Sequence, residues 1–267
     1  MLRVARQIFH FLPLLGTLTA RELKARYRGS VLGFLWSLAN PLLLLAVYTF
    51  VFSVLFKPRM AGADPYALFV VSGLFPWIWL STSLLEGAMS LIVNSGLIRK
   101  SAFPAELLPM VVVLSNLVHL LLAIPIVAAA LVTCWVLGYH VGGWAALLLP
   151  AVILLELPMV SGLALGFAAL NVHFKDVRDL LANLLTLLFF LTPILYPVAS
   201  LAGLPVIRWV VRLSPFTPFT LAYQETLFHG NVPPAYLWIQ MAVVSLVCWA
   251  AGAWLFDRLR ETLVEAA

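Results

Sequence analysis

The chain has 267 residues, of which 63% are hydrophobic and 10% are charged, and its mean hydropathy is +1.05. Because a typical soluble domain has roughly 25% charged residues, this composition excludes a water-soluble globular protein. The net charge of +5 does not indicate nucleic-acid binding, since the basic residues stand between apolar segments and not in one patch. Cys134 and Cys248 are too few, and too deep in apolar segments, for a disulfide framework or a metal site.

A basic amphipathic segment, residues 19–30, precedes the first long apolar segment. Helical spacing places its basic and apolar side chains on different faces, which is typical of a helix lying on a membrane surface. The basic face holds Arg21, Lys24 and Arg28, and the apolar face holds Ala20, Leu23 and Tyr27. Upstream, Arg3 and Arg6 precede an apolar run that is too short for a signal peptide and lacks a cleavage site, so we predict a second surface helix there.

Six apolar segments in the rest of the chain predict six transmembrane helices, since about 20 apolar residues cross the hydrocarbon. The second is interrupted only by Glu86, and the sequence GYHVGGW (138–144) separates the third from the fourth. The predicted spans are 31–56, 66–98, 107–138, 144–173, 180–197 and 236–256.

The distribution of basic residues predicts the orientation. The chain has 16 Lys and Arg residues. Twelve of them lie before the first span, after the second, after the fourth or after the sixth. The other four lie in the connections that follow the first and the fifth span. Because cytoplasmic loops carry the excess of Lys and Arg, both termini are predicted to be cytoplasmic.

Residues 199–235 form a connection that is rich in Pro and Gly and only partly apolar. Irregular backbone survives at membrane depth only inside protein or beside water, so short helices that dip back into the outer leaflet are the favoured interpretation. An ordinary extracytoplasmic loop is the alternative.

The run RELKARYRGSVLGFLWSLANPLLLL resembles the start of the membrane subunits of ABC-2 type exporters, in the group that exports O-antigen, capsule or teichoic-acid polysaccharides. The similarity lies in the order of Arg26, Tyr27, Gly33, Trp36 and Pro41, and further motifs extend it over nearly the whole chain. It implies an all-α membrane protein with one ABC-2 transmembrane domain over 1–267. In this domain 1–30 is an interface segment, 31–256 is a six-span bundle with short outer-face helices between spans five and six, and 257–267 is a cytoplasmic tail. The stretch LSPFTPFTLAYQETLF resembles the family's Pro-x-x-Pro segment, which is followed by an amphipathic helix.

Two short cytoplasmic stretches resemble the parts of this family that contact a separate ATPase subunit. GLIRKSAFPAE (96–106) resembles the coupling and gate helix, and NVHFKDVRDL (171–180) resembles an Asn-x-x-Phe-[Lys/Arg]-Asp loop. The chain contains no G-x-x-x-x-G-K-[ST] loop, so ATP and Mg are expected in the partner subunit and the chain itself is not expected to be an enzyme. The candidate contact residues are Arg99, Lys100, Phe103, Glu106, Phe174, Lys175, Asp176 and Arg178. The alternative is that both stretches are solvated turns that only set the topology.

Aromatic side chains are the candidates for a substrate path, because their faces can stack on sugar rings. The same residues are common at membrane interfaces or against lipid, and this second interpretation is equally good for Tyr48 and Phe52 and better for Trp77 and Trp79. The candidates are Tyr48, Phe52, Phe56, Phe75, Trp77, Trp79, Phe190 and Tyr196.

Three ionisable residues, Glu86, His119 and Glu156, lie within apolar spans, where such groups are costly and often functional. A proton relay is one interpretation. Each residue is isolated in its span, and Glu156 is near Pro158, so polar packing or the lining of an aqueous path is favoured.

The sequence therefore predicts a permease subunit of the bacterial cytoplasmic membrane that acts as a homodimer with an ATPase partner and exports a lipid-linked polysaccharide. An ABC-2 exporter of drugs or lipids is the alternative within the family. A proton-coupled transporter would need an inverted repeat, which we do not find. A membrane-embedded enzyme would need a clustered polar site.

Overall fold

The computed structural model describes residues 2–51, 63–100 and 103–266, with side chains for all of these except 2, 34, 98–100 and 261–266. Within these ranges the chain is helical, with short turns and no β-strand. The α-helices are α1 (Leu2–His10), α2 (Leu12–Arg26), α3 (Trp36–Thr49), α4 (Tyr66–Val93), α5 (Ser95–Lys100), α6 (Leu107–Val136), α7 (Leu149–His173), α8 (Val177–Leu191), α9 (Pro205–Leu213), α10 (Thr217–Tyr223) and α11 (Ala235–Ala266).

Among the described residues, four helical segments are long and apolar enough to cross a membrane: α4, α6, Trp144–His173 and the Ala235–Arg260 part of α11. Two shorter helices, α3 with 14 residues and α8 with 15, occupy the positions of the predicted first and fifth spans. The predicted break at 138–144 is confirmed, because α6 ends at Val136 and the next helical turn begins at Trp144.

The predicted second span differs from the structure at its end, since α4 stops at Val93. The Asn94 side-chain amide donates a 2.9 Å hydrogen bond to the Ser90 carbonyl, which satisfies an acceptor in the last turn. A separate short helix, α5, then begins at Ser95.

Helix α4 lies at the centre of the fold and packs against α6, α7, α8 and α10. Its side chains are buried nearly all round, which explains why it is apolar without a polar stripe. Helices α7 and α11 form the closest pair of the fold. Their backbones approach so closely that a Cβ atom on Gly162 would overlap the backbone of Cys248 and Trp249, and one on Gly252 would overlap Gly162. Small residues allow this kind of approach between membrane helices.

The 199–235 connection contains a 3₁₀ turn, α9, α10 and a π-turn over Gln224–His229. An amphipathic helix is predicted after the Pro-x-x-Pro segment, and in α10, at this position, every residue except Leu221 is buried. Helix α10 packs against α4, α7 and α11 at once, which leaves it no solvated face. The preceding α9 has the mixed character instead, with Val211 buried and Arg212 exposed.

Candidate functional site

The end of α2 docks between α4 and α6 through one arginine. The Arg26 guanidinium donates a 2.7 Å hydrogen bond to Glu86 Oε2 on α4 and a 2.9 Å hydrogen bond to Asn116 Oδ1 on α6. Asn116 Nδ2 donates to the same Glu86 oxygen at 2.9 Å, so the three side chains form a closed triangle. The triangle joins a predicted surface helix to two membrane helices.

The ion pair in this triangle is only partly removed from water. The Arg26 and Glu86 side chains are 27% and 44% exposed. Pairs with this exposure contribute about 0–1 kcal/mol, because water screens the charges and both side chains lose rotamer freedom. The triangle therefore positions the end of α2 against α4 and α6 but contributes little free energy to holding it there.

Tyr27, the next residue, makes a second contact between α2 and α6. Its hydroxyl lies 2.7 Å from His119 Nε2, and the two rings meet edge to face with centroids 5.9 Å apart. Burial raises the pKa of the Tyr27 hydroxyl, the Arg26 charge lowers it and the Glu86 charge raises it, with a net upward shift. The hydroxyl therefore stays protonated at neutral pH.

The chain reverses directly after these contacts. Gly29 has φ +79°, a left-handed conformation that an L side chain rarely adopts, and the turn leads into α3. The RYRG sequence thus combines two docking side chains with the glycine that the turn requires.

Two cavities flank the triangle. One, of about 400 Å³, lies among α3, α4 and α6; its polar and aromatic lining includes Trp36, Asn40, Trp79 and His119, and we call it the Trp36 cavity. The other, of about 480 Å³, lies among α2, α4, α6 and Arg178, and we call it the Arg21 cavity after another of its lining residues. Arg26 lines both cavities and so contributes to the wall of each.

Of the predicted path residues, Phe75 and Trp79 line the Trp36 cavity. Trp79 is buried and donates its indole N–H to the Val113 carbonyl at 3.2 Å. Trp77 is also buried, against Phe189 and Phe216, so neither tryptophan faces lipid as an interfacial belt would require.

The other path residues are dispersed. Tyr48 is half-buried on α3, and the ring of Phe190 is 62% exposed on α8. Tyr196 donates its hydroxyl proton to the Leu191 carbonyl at 2.9 Å. Phe52 and Phe56 lie outside the described residues. Of the six described path residues, only Phe75 and Trp79 line the Trp36 cavity, and sequence reasoning missed Trp36, Asn40 and Asn116 as further lining residues.

The predicted coupling residues fall into two groups. Phe174, Lys175 and Asp176 are exposed between α7 and α8, and Arg178 is exposed in the first turn of α8. Asn171, which begins their motif, is buried: its Nδ2 donates to the Ala88 carbonyl at 3.0 Å, and its Oδ1 accepts the Arg178 backbone N–H at 3.1 Å. The motif's asparagine therefore holds this exposed turn against α4.

The second group consists of Arg99, Lys100, Phe103 and Glu106. Arg99 and Lys100 belong to α5, but their side chains lie outside the described part. Phe103 is half-buried. Glu106 is completely buried, and its Oε1 lies 4.0 Å from Arg260 Nη1 on α11, so its carboxylate faces the interior and not a partner surface.

The basic residues of the predicted surface segment 19–30 differ in their surroundings, and Arg28 lies beyond α2, which ends at Arg26. Arg21 is exposed at the edge of the Arg21 cavity, whereas Lys24 and Arg28 are exposed outside both cavities. Glu156, the third intramembrane candidate, accepts a 2.7 Å hydrogen bond from the Tyr223 hydroxyl and is remote from the triangle in sequence and in its contacts.

Comparison with known proteins places these features in a family. Residues 13–228 match the family model described as ABC-2 type transporter. The chain is 37% identical over its whole length to the whole O-antigen export system permease protein RfbA of Myxococcus xanthus. It is 28% identical to RfbA of Klebsiella pneumoniae over 99% of this chain and 98% of that protein. It is 21% identical to the polysialic acid transport protein KpsM of Escherichia coli, over 92% and 93% of the two chains. The chain therefore belongs to the ABC-2 type transporter family, as its opening motif predicted.

Proposed function

We propose that this chain is the permease subunit of an ATP-driven exporter that moves a lipid-linked polysaccharide across the bacterial cytoplasmic membrane. The relatives that align over almost its whole length are named as O-antigen export permeases, and a more distant one as a polysialic acid transport protein. Several apolar helices long enough to span a membrane agree with a multi-pass permease.

The Trp36 cavity is the observation that carries the substrate assignment. It combines aromatic rings with hydrogen-bonding side chains inside an otherwise apolar bundle. Sugars present polar hydroxyls at their edges and apolar C–H faces, so such a lining suits them better than a purely apolar one. Trp36 and Asn40 lie one helical turn apart on α3, and both line this cavity.

For the architecture, we propose six spans, with α3 and α8 as the first and fifth and both termini in the cytoplasm. The proposed domain covers 1–267, with an interface segment 1–30, a bundle 31–256 and a tail 257–267. The exposed apolar side chains of α3 and α8, among them Leu43 and Leu184, support a channel completed by a second copy of the chain. A homodimer is the simplest such assembly.

A separate ATPase subunit, with ATP and Mg, would drive transport. Its proposed contact is the exposed turn from Phe174 to Arg178, which Asn171 holds against the central helix α4. Force applied at this turn would reach α4 through that asparagine.

The experiment is replacement of the gene in its own host, with surface polysaccharide as the readout. Deletion is expected to abolish surface glycan, and the wild-type gene to restore it. Trp36→Ala and Asn40→Ala are expected to restore it poorly at normal protein level. Leu121→Ala, at an exposed apolar position of α6 outside both cavities, is the matched control and should restore it fully. Normal surface glycan in the deletion strain would refute the proposed function.

A further inference from the structure

We propose that the Arg21 cavity binds the phosphate head of a membrane amphiphile. In the absence of that phosphate Glu86 pairs with Arg26, and the bound phosphate replaces Glu86 as the partner of the guanidinium. The inference deepens the proposed function, on which it rests for the identity of the amphiphile as the lipid end of the exported glycan. Three features of the cavity support a phosphate site: its charges, its apolar walls and the ion pair between Arg26 and Glu86.

The charges around the cavity favour an anion. Three guanidinium groups line it, from Arg21, Arg26 and Arg178, against the two carboxylates of Glu22 and Glu86. Arg178 approaches Asp179 only to 3.8 Å, and both side chains are mostly exposed, so this pair neutralises it weakly. Guanidinium groups suit phosphate, because their planar N–H donors match two phosphate oxygens at once.

The walls favour an amphiphile over a free ion. Leu85, Met89 and Val93 of α4 and Val111 of α6 form an apolar surface beside the arginines. A phosphate ester with an alkyl chain would place its head at the arginines and its first methylene groups on this surface, where burial of the methylene groups favours binding. Inorganic phosphate would leave the apolar wall in contact with water.

Glu86 behaves as a counterion that a phosphate can replace. Its carboxylate accepts from Arg26 at 2.7 Å, yet 44% of its side chain is exposed, so the pair opens at low cost. A phosphate that joins an alkyl chain to a sugar keeps a full negative charge and two free oxygens, which can accept both N–H donors of one edge of the guanidinium. When Arg26 turns to the phosphate, Asn116 still has Glu86 as acceptor at 2.9 Å, so no buried donor is left unpaired.

This exchange has a structural consequence, because Arg26 lines both cavities. A guanidinium that moves from Glu86 to a phosphate changes the wall that Arg26 contributes to both cavities. Binding of the head group would thereby reshape the Trp36 cavity, which is proposed to receive the sugar.

The test is a binding titration of the purified permease–ATPase complex in dodecyl maltoside micelles, with dodecyl phosphate as the probe. The detergent supplies the same alkyl tail without phosphate, so binding reports the head group. Glu86→Gln, which keeps the shape of the side chain, is expected to tighten binding about two- to fivefold, the range for a partly exposed ion pair that no longer competes. Arg26→Gln is expected to weaken it at least about tenfold. Arg28→Gln removes the same charge two residues away and outside both cavities, and should leave binding unchanged.

The opposite response of the two partners separates this site from a merely structural ion pair. If the pair only holds α2 in place, Glu86→Gln and Arg26→Gln weaken binding alike, and the proposal fails. Arg21→Gln, at an exposed position, serves as a second weakening variant should Arg26→Gln not fold. Binding of inorganic phosphate as tight as that of dodecyl phosphate would overturn the amphiphile assignment.

Failure of the proposed function would look different. The titration contains no glycan, so the predicted order of affinities can hold even if the deletion strain keeps its surface polysaccharide. If the affinities follow the predicted order and the deletion strain keeps its surface polysaccharide, the chain has the phosphate site but transports another substrate.

Discussion

Tyr223 and Glu156 form a buried hydrogen-bonded pair between the 199–235 connection and the bundle. The Tyr223 hydroxyl donates to Glu156 Oε2 at 2.7 Å, and the two residues are only 1% and 2% exposed. Glu156 lies on α7 and Tyr223 ends α10, so the pair fastens the short helix α10 to a long membrane helix.

The first prediction concerns this pair. Tyr223→Phe removes the donor and leaves the buried Glu156 without it, which is expected to destabilise the protein by about 1–3 kcal/mol. Glu156→Gln keeps an acceptor oxygen and should cost less. The measurement is the midpoint of thermal unfolding of the detergent-purified protein, with Tyr236→Phe at an exposed tyrosine as the control. Equal midpoints for Tyr223→Phe and wild type would show that the hydrogen bond does not stabilise α10.

The second prediction concerns the contact between α7 and α11. Gly162→Ala places a Cβ atom into the backbone of α11, so the helices must separate. We expect a loss of about 1–3 kcal/mol or more, as for overpacked cores. Gly16→Ala is the matched control, because nothing lies within 4 Å of the added atom on α2 and alanine favours a helix by about 0.5–1 kcal/mol over glycine. The two alanine variants should therefore shift the unfolding midpoint in opposite directions, and a shift in the same direction would contradict the close approach.

The third prediction concerns the ATPase contact. Asp176→Lys reverses an exposed charge in the turn after α7, and is expected to uncouple ATP hydrolysis from export without affecting membrane insertion. ATPase activity of the purified complex and surface glycan are measured together, with Arg212→Glu on α9 as an exposed charge reversal outside the turn. Normal export by Asp176→Lys would remove this turn from the interface.

Much of the fold follows from patterns within single segments. Apolar length predicted the long helices, and the glycine-rich GYHVGGW predicted the break between α6 and the next helical turn. The buried α10 could not be predicted in this way, because its polar residues Thr217 and Thr220 are buried by three different helices. When a helix is buried on all sides by tertiary packing, its sequence shows no alternation of polar and apolar residues at helical spacing.

The site was harder to predict, since its residues come from distant parts of the chain. Glu86 and His119 are isolated acids or bases within their spans, and only the folded chain brings Arg26 and Tyr27 to them across 60 and 92 positions. The available signal was an unpaired acid in one span together with basic residues in a preceding surface helix. Asn116 gave no signal at all, because a lone asparagine in an apolar helix fits polar packing equally well.

The central claim is that this permease carries a lipid-linked polysaccharide in a process driven by ATP, and transport in inside-out vesicles tests it most directly. Vesicles containing the permease and its ATPase subunit are supplied with the lipid-linked glycan, and the fraction of glycan protected from an impermeant glycosidase is measured. We expect protection to require ATP hydrolysis and to be lost with an ATPase subunit that cannot hydrolyse ATP. Protection that develops without ATP, driven by a proton gradient alone, would contradict the account.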